Sequence, residues 1–323
     1  MFKSWVGIDV SKDKLDVVIL QRDERKFRTV NNTQAGCKQL DRWLKRQRIK
    51  EHHICMEATG RYSLVSAEYL YREGYQVSVV NPLRIKAYGQ SQLVRNKTDR
   101  LDAFVIADFC RSQRPPAWKP LSPAVKELQA RVRYLEDLQN MRQQERNRLQ
   151  SGITSPNVIQ MLTDHIALLD QQIETLIGEI SAWINQHPEL KHQKDLLCSI
   201  PGIADLTAAR LLAEVQDFHA FESAAQLAAY AGVTPRQHFS GSSVRGKSRQ
   251  SKTGNAHLRK TLYFPAMVAM KHNPIIREHS HRLEERGKLK MVIIGAAMRK
   301  LLHIAYGVLK SGQPFDPNFT FPS

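Results

Sequence analysis

The chain has 323 residues, 42% of them hydrophobic, so it is too long for one small core and too apolar for a disordered tail. Lys and Arg number 48 against 31 Asp and Glu, a net charge of +17, which points to nucleic acid before an acidic protein or a membrane surface. Four scattered cysteines (Cys37, Cys55, Cys110, Cys198) form no C-x-x-C pair, which argues against a zinc site or a disulfide framework and for a reducing cytoplasm. No signal-peptide pattern opens the chain, and no stretch reads as the ~20 apolar residues of a membrane span.

In chain order, Trp5–Val10 reads as a buried strand and Leu15–Leu20 as its hairpin partner, with the polar Ser11–Lys14 between them. Lys26–Val30 is expected to add a third strand. A helix over Ala35–Arg48, with Leu40, Trp43 and Leu44 as its apolar stripe, leads to a strand at His53–Glu57. A second helix, Ser63–Glu73, precedes the strand Gln76–Val80, closed by Asn81-Pro82. Three strands followed by alternating helix and strand is the order of an α/β, ribonuclease H-like domain. From Leu93 the chain runs into another helix with Leu101, Phe104, Val105 and Ala107 inside. Pro115, Pro116 and Pro120 then mark the first boundary.

Two long helices follow. Val125, Leu128, Val132, Leu135 and Leu138 stripe the first; Ile159, Leu162, Ile166, Leu169, Ile173, Leu176, Ile180 and Trp183 give the second a heptad seam. The seam fits an intramolecular helical hairpin or a dimerising coiled coil. After Pro188, Ile200-Pro201-Gly202-Ile203 and a small-residue helix resemble a helix–hairpin–helix backbone-binding element, with an ordinary Pro-Gly turn as the alternative. Met291–Leu309 reads as a last core helix. The expected domains are 1–115, a coiled-coil hairpin over 116–190, and a mostly α-helical region over 191–323.

Metal-assisted phosphoryl transfer needs carboxylates on rigid elements. Asp9 sits among Ile8 and Val10, where an uncompensated charge is costly. Glu57 ends its strand before Ala58-Thr59-Gly60, and Asp99 and Asp102 project from one helical face. A helix cap at Asp99 and a surface role for Glu57 are the plainer uses. Asp13, Asp16 and Asp108 are expected in solvent.

No acid lies between Glu222 and Glu278, whereas Arg236, Arg245, Lys247, Arg249, Lys252, Arg259 and Lys260 all do. These seven cations suit a phosphate backbone. Ser240-Gly241-Ser242-Ser243 places three hydroxyls among them, which the residues alone do not rank as nucleophiles. Tyr263 and His238 are weaker chemical candidates. Any acid or metal that activates a hydroxyl in this stretch must come from elsewhere.

The runs Gly7-Ile8-Asp9-Val10-Ser11-Lys12, Met56-Glu57-Ala58-Thr59-Gly60 and Lys97-Thr98-Asp99-Arg100-Leu101-Asp102-Ala103 resemble the DEDD motif set of IS-one-hundred-and-ten-family transposases and Piv-type DNA invertases. Ile200-Pro201-Gly202-Ile203, Ala231-Gly232-Val233-Thr234-Pro235, Ser240-Gly241 and Gly254-Asn255-Ala256-His257-Leu258-Arg259 are similar to the second half of that family. The resemblance spans nearly the whole chain. It implies a RuvC-like domain binding Mg2+ through Asp9, Glu57, Asp99 and Asp102, a coiled-coil connector, and a transposase domain with Ser240 as nucleophile. It further implies donor and target DNA, a non-coding bridge RNA, and a dimer or tetramer as partners. The competing readings are a hydrolytic junction-resolvase-like nuclease, a non-enzymatic nucleic-acid binder, and an actin-like or sugar-kinase ATPase. The last is disfavoured because no second glycine-rich phosphate loop follows.

Overall fold

The structure is a computed structural model that describes residues 4–22, 24–47, 51–92, 98–215, 218–236, 239–240, 244–245, 249–250 and 253–318. The chain divides into two compact units, Met1–Pro120 and Leu121–Ser323.

The first unit is a five-stranded mixed sheet with helices on both faces. Its strands are β1 (Ser4–Val10), β2 (Lys14–Gln21), β3 (Glu24–Asn31), β4 (His52–Glu57) and β5 (Gln76–Val80), in the order β3-β2-β1-β4-β5. β1, β2 and β3 pair antiparallel, and β4 and β5 continue the sheet parallel to β1. Side chains alternate across a strand, so each face has its own population. One face presents Val6, Ile8, Val10, Leu15, Val17, Ile19, Ile54 and Met56 to Leu40, Leu44 and Leu70, which come from α1 (Gln34–Arg46) and α2 (Arg61–Arg72). Thr33 caps α1 through the Gly36 amide at 3.2 Å.

The opposite face is covered by α4 (Asp99–Gln113), joined by α3 (Pro82–Ser91). Here Val18, Leu20 and Cys55 meet Ala103, Ala107, Ile106 and Phe109. The helix α3 was not foreseen, because Asn81-Pro82 reads as the end of a strand. The same pair starts a helix: Asn81 accepts from the Leu83 amide at 2.9 Å and Pro82 occupies the first turn.

The second unit is helical. α5 (Pro123–Leu149) and α6 (Pro156–Gln186) form an antiparallel hairpin. Leu128, Val132, Leu135 and Leu138 meet Leu169, Ile173, Leu176, Ile180 and Ile184 in the same core as the helices that follow. Those are α7 (Pro188–Cys198), α8 (Asp205–Glu214), α9 (Ala224–Ala231), α10 (Ala256–His272), α11 (Pro274–Glu285) and α12 (Lys290–Ser311). The seam residues toward the hairpin tip, Ile159, Leu162 and Ile166, are only half-buried. α12 is long and apolar enough by length and composition to cross a membrane, which corrects the reading that no stretch approaches one. Ile293, Ile294, Ala297, Leu301, Leu302, Ala305 and Val308 on it are buried in the core.

Gly202 lies in the turn between α7 and α8 with φ +109°, and a Cβ there would meet Ala269 Cβ at 2.7 Å and Pro265 O at 2.9 Å. The backbone's close approach to α10 accounts for the glycine.

Candidate carboxylate site and serine hairpin

Alternation along β1 puts Trp5, Gly7 and Asp9 on the α4 face. Gly7 lets the helix down onto the strand: a Cβ at this position would fall 2.2 Å from Ala103 O and 2.3 Å from Ala107 N. α4 therefore rests directly on β1, and its first turn brings Asp99 and Asp102 toward Asp9. Thr98 starts the helix there by accepting from the Leu101 amide at 3.3 Å. In the parallel register Ile8 faces Met56, so Glu57 at the end of β4 stands beside Asp9 with the same parity. Three elements thus deliver the four predicted acids to one end of one sheet face.

A fifth acid accompanies them. Asp16 is the direct cross-strand neighbour of Asp9 and is buried, accepting from Thr29 Oγ1 at 2.5 Å. The expectation that it lies in solvent is corrected: its register against Asp9 turns it to the face beneath α4, where it is buried. Asp108 departs from expectation too. Its carboxylate is held by Tyr88 Oη at 2.6 Å and Arg111 Nη2 at 2.5 Å. Asp13 is exposed as expected.

Electrostatics follow from this crowding. Burial first, then the negative charges of Asp102, Asp99 and Asp16, hold the Asp9 carboxyl above its ordinary range, with Lys14 opposing. Lys14 Nζ reaches Asp99 Oδ2 at 2.5 Å and Asp16 Oδ2 at 3.1 Å, tying the first turn of α4 to β2. An all-oxygen donor set under mutual repulsion is the chemistry a hard divalent cation relieves. The acids stand side by side rather than closed round a point: among the described residues no group of three or more His, Cys, Asp or Glu is set to hold one ion.

In the second unit, Ser240 lies on a short antiparallel ladder. β6 (Pro235–Arg236) pairs with β9 (Arg249–Gln250), and β7 (Phe239–Ser240) with β8 (Val244–Arg245). Ser240 stands opposite Val244, Phe239 opposite Arg245, and Arg236 opposite Arg249. The rival hydroxyls Ser242 and Ser243, together with His238, Lys247 and Lys252, lie outside the described residues. Tyr263 is half-buried against the helical core beside Phe264, as its apolar setting suggests.

The base of this hairpin is clamped by residues that sequence reading did not single out. Glu214, at the end of α8, is 2% exposed and accepts from Arg133 Nε at 3.0 Å, Arg133 Nη2 at 3.3 Å and Asn255 Nδ2 at 2.8 Å. The Asn255 amide donates to Tyr230 O at 2.7 Å while its side chain caps α10 through the Leu258 amide. The chain thus leaves α9 and re-enters α10 at one point. No local pattern marks Glu214, since its partners are 81 and 41 residues away. The last two predicted cations open α10: Arg259 donates to Ala231 O at 3.3 Å and Lys260 to Glu136 at 2.6 Å. Both line a cavity of about 490 Å3 together with Phe264, Met291 and Met298.

Carboxylates gather on the mixed sheet of one unit and Ser240 sits on a short hairpin of the helical other, and comparison with known proteins says which kind of protein this modular chain is. Residues 6–155 match a DEDD-type family model described as "Transposase", and residues 194–281 one described as "Transposase IS116/IS110/IS902 family". The pilin gene-inverting protein of Moraxella bovis is 36% identical over 325 residues, covering 98% of each chain. The transposase for insertion sequence element IS1328 of Yersinia enterocolitica is 27% identical over 77% of this chain and 81% of its own. The chain belongs to the IS110 family of transposases and is an enzyme of DNA recombination.

Proposed function

We propose that the chain is a DNA recombinase that cuts and rejoins strands through a phosphoserine at Ser240. Asp9, Glu57, Asp99 and Asp102 hold Mg2+ in this reading. The observation that carries it is the gathering of these acids on the α4 face, where burial and then the charges of Asp102, Asp99 and Asp16 hold Asp9 above its ordinary range. The sheet order and its antiparallel-then-parallel pairing support a ribonuclease H-like, RuvC-type domain. The full-length likeness to a gene-inverting protein supports inversion or transposition of a DNA segment.

Bound there, the metal would polarise the scissile phosphate and lower the cost of ionising an attacking hydroxyl. The chain's own groups do the rest. Lys14 and Asp16 hold the first turn of α4 in place, and Gly7 sets its distance from β1. Ser240 Oγ forms a bond to phosphorus as the bond to the departing DNA hydroxyl breaks. A second DNA hydroxyl then attacks the phosphoserine and releases the serine. One phosphoester is exchanged for another at each step, so no nucleotide cofactor is needed. Arg236, Arg245, Lys247, Arg249, Lys252, Arg259 and Lys260 grip backbone phosphates. A bridge RNA from the same element specifies the donor and target DNA, and the working form is a homo-oligomer; the α5–α6 seam, half-buried toward its tip, suits a coiled-coil contact.

The test is a nicked suicide DNA carrying the element's end. A covalent protein–DNA adduct is expected in Mg2+, lost in Ser240→Ala and retained in Ser242→Ala and Ser243→Ala. Cleavage without an adduct would instead indicate a hydrolytic nuclease. Recombination that survives Asp9→Asn and Glu57→Gln would sink the metal site.

A further inference from the structure

The sheet edge beside the acids carries a feature that metal binding and the serine do not use. β3 is the edge strand of its sheet, and residues 24 and 25–29 on it are exposed. On the α4 side of that edge, Phe27 remains 43% exposed. The Arg100 guanidinium lies over its ring, 5.9 Å from the centroid, and Arg25 lies over the Phe104 ring at 3.9 Å. Cation and aromatic therefore alternate along the seam between β3 and α4. A cavity of about 160 Å3 opens in this seam, lined by Asp16, Phe27, Arg28, Thr29, Arg100 and Ala103. Asp16 joins it to the acids as the cross-strand neighbour of Asp9, and Arg100 stands between Asp99 and Asp102 in sequence.

We infer that this seam is a binding track for a single DNA strand, feeding its phosphate to the carboxylates. The proposal rests on the recombinase reading for its choice of DNA. An exposed phenyl ring offers a flat apolar surface that any unstacked base can cover, and guanidinium planes stack on bases as they stack on phenyl rings. Arg25 and Arg100 neutralise neighbouring phosphates. The cavity has room for one flat ring and not for a base pair, and bases in a duplex keep their faces covered, so the ligand is a strand with at least one nucleotide turned out of the stack. The cations also answer an electrostatic need: a phosphate approaching a cluster of acids is repelled unless positive groups accompany it to the edge of the site.

The test uses the full chain with a fluorescein-labelled single-stranded DNA oligonucleotide of the element's end, its duplex, and an RNA of the same sequence. Anisotropy gives affinities at two salt concentrations. A 5-iodouracil scan of the DNA strand, with peptide mapping, reports which residues touch a base. Phe27→Ala is expected to weaken single-stranded DNA binding by about tenfold, the loss of one stacked base, with little change for the duplex, and Phe27→Trp to restore it. Arg25→Gln and Arg100→Gln should weaken binding and flatten its salt dependence. Photocrosslinks should map to β3 or the first turns of α4. The track is overturned if Phe27→Ala binds the single strand within twofold of the parent chain, or if crosslinks fall elsewhere. Loss confined to the RNA would overturn the assignment to DNA. These readouts do not require strand transfer: recombination retained by Asp9→Asn would remove the metal mechanism while leaving the track to be judged by binding.

Discussion

The two faces of the N-terminal sheet are made from the same strands and serve different ends. Toward α1 and α2, every inward position from Val6 to Ile19 is aliphatic, and the layer is an ordinary packed core. Toward α4, the same alternation yields Gly7, Asp9, Asp16 and Glu57, with Lys14 bridging from β2 to the helix. The first face contributes cohesion. The second gives up part of that cohesion to hold like charges close together, with the rigid backbone of β1 between the two. A strand of seven residues thus acts as stabilising core and as candidate site at once, its residues assigned to one or the other by parity.

Paired substitutions one residue apart separate the two faces most clearly. Asp9→Asn is expected to lower recombination by more than about 100-fold, the scale on which metal sites respond to loss of even supporting groups. Because Asp9 is held above its ordinary range, the change should leave the melting temperature equal or higher. A lowered melting temperature would show that Asp9 stabilises the fold. Its neighbour Ile8, fully buried on the other face, should do the opposite: Ile8→Ala is expected to cost about 2–5 kcal/mol in denaturant unfolding of the first unit. DNA binding by the folded fraction should be kept.

His53 makes the α4 face sensitive to pH. It is 1% exposed, on the α4 side, with Nε2 2.8 Å from Ser78 Oγ, and burial pushes its imidazole down to about 4. The unfolded chain binds a proton near pH 6.5 that the folded chain refuses until about 4. Stability is therefore fully present above the unfolded value and lost as pH falls through that window, by roughly 3 kcal/mol at 1.36 kcal/mol per unit. Urea midpoints measured from pH 7 to 4 should fall accordingly, and His53→Gln should flatten the slope. Gly7→Ala is the subtlest probe. It forces α4 off β1, at about 1–3 kcal/mol for an overpacked contact. Recombination should fall further than that loss of folded protein explains, because Asp99 and Asp102 travel with the helix.

Much of this unit was legible in the sequence. Strand parity, read from Trp5 to Val10, already separates Ile8 from Asp9, and the motif runs around Asp9, Glu57, Asp99 and Asp102 name the acids that the fold gathers. The strand Leu15–Leu20 is legible with Asp16 inside it, but only the register against Asp9 shows that its carboxylate lies beneath α4 rather than in solvent. α3 was missed because Asn-Pro both ends strands and starts helices. In the second unit, heptad spacing announced α5 and α6, but spacing is blind to partners. Nothing near Glu214 foretells that Arg133 and Asn255 will meet it, since this pairing of a buried carboxylate is a property of three distant segments brought together.

That meeting point has a consequence for how such enzymes diversify. With Ala231 and Asn255 fastened to α8, α9 and α10, the segment between them starts and ends on a fixed mount. Lengthening a loop whose ends are already anchored is thermodynamically mild, about 0.6 kcal/mol per doubling. Hairpins of other lengths and charges, grafted between the same two anchor residues, are therefore expected to leave the packing of the helices beneath unchanged. Glu214, which ties Arg133 to Asn255 at that mount, is the residue such grafts must leave alone.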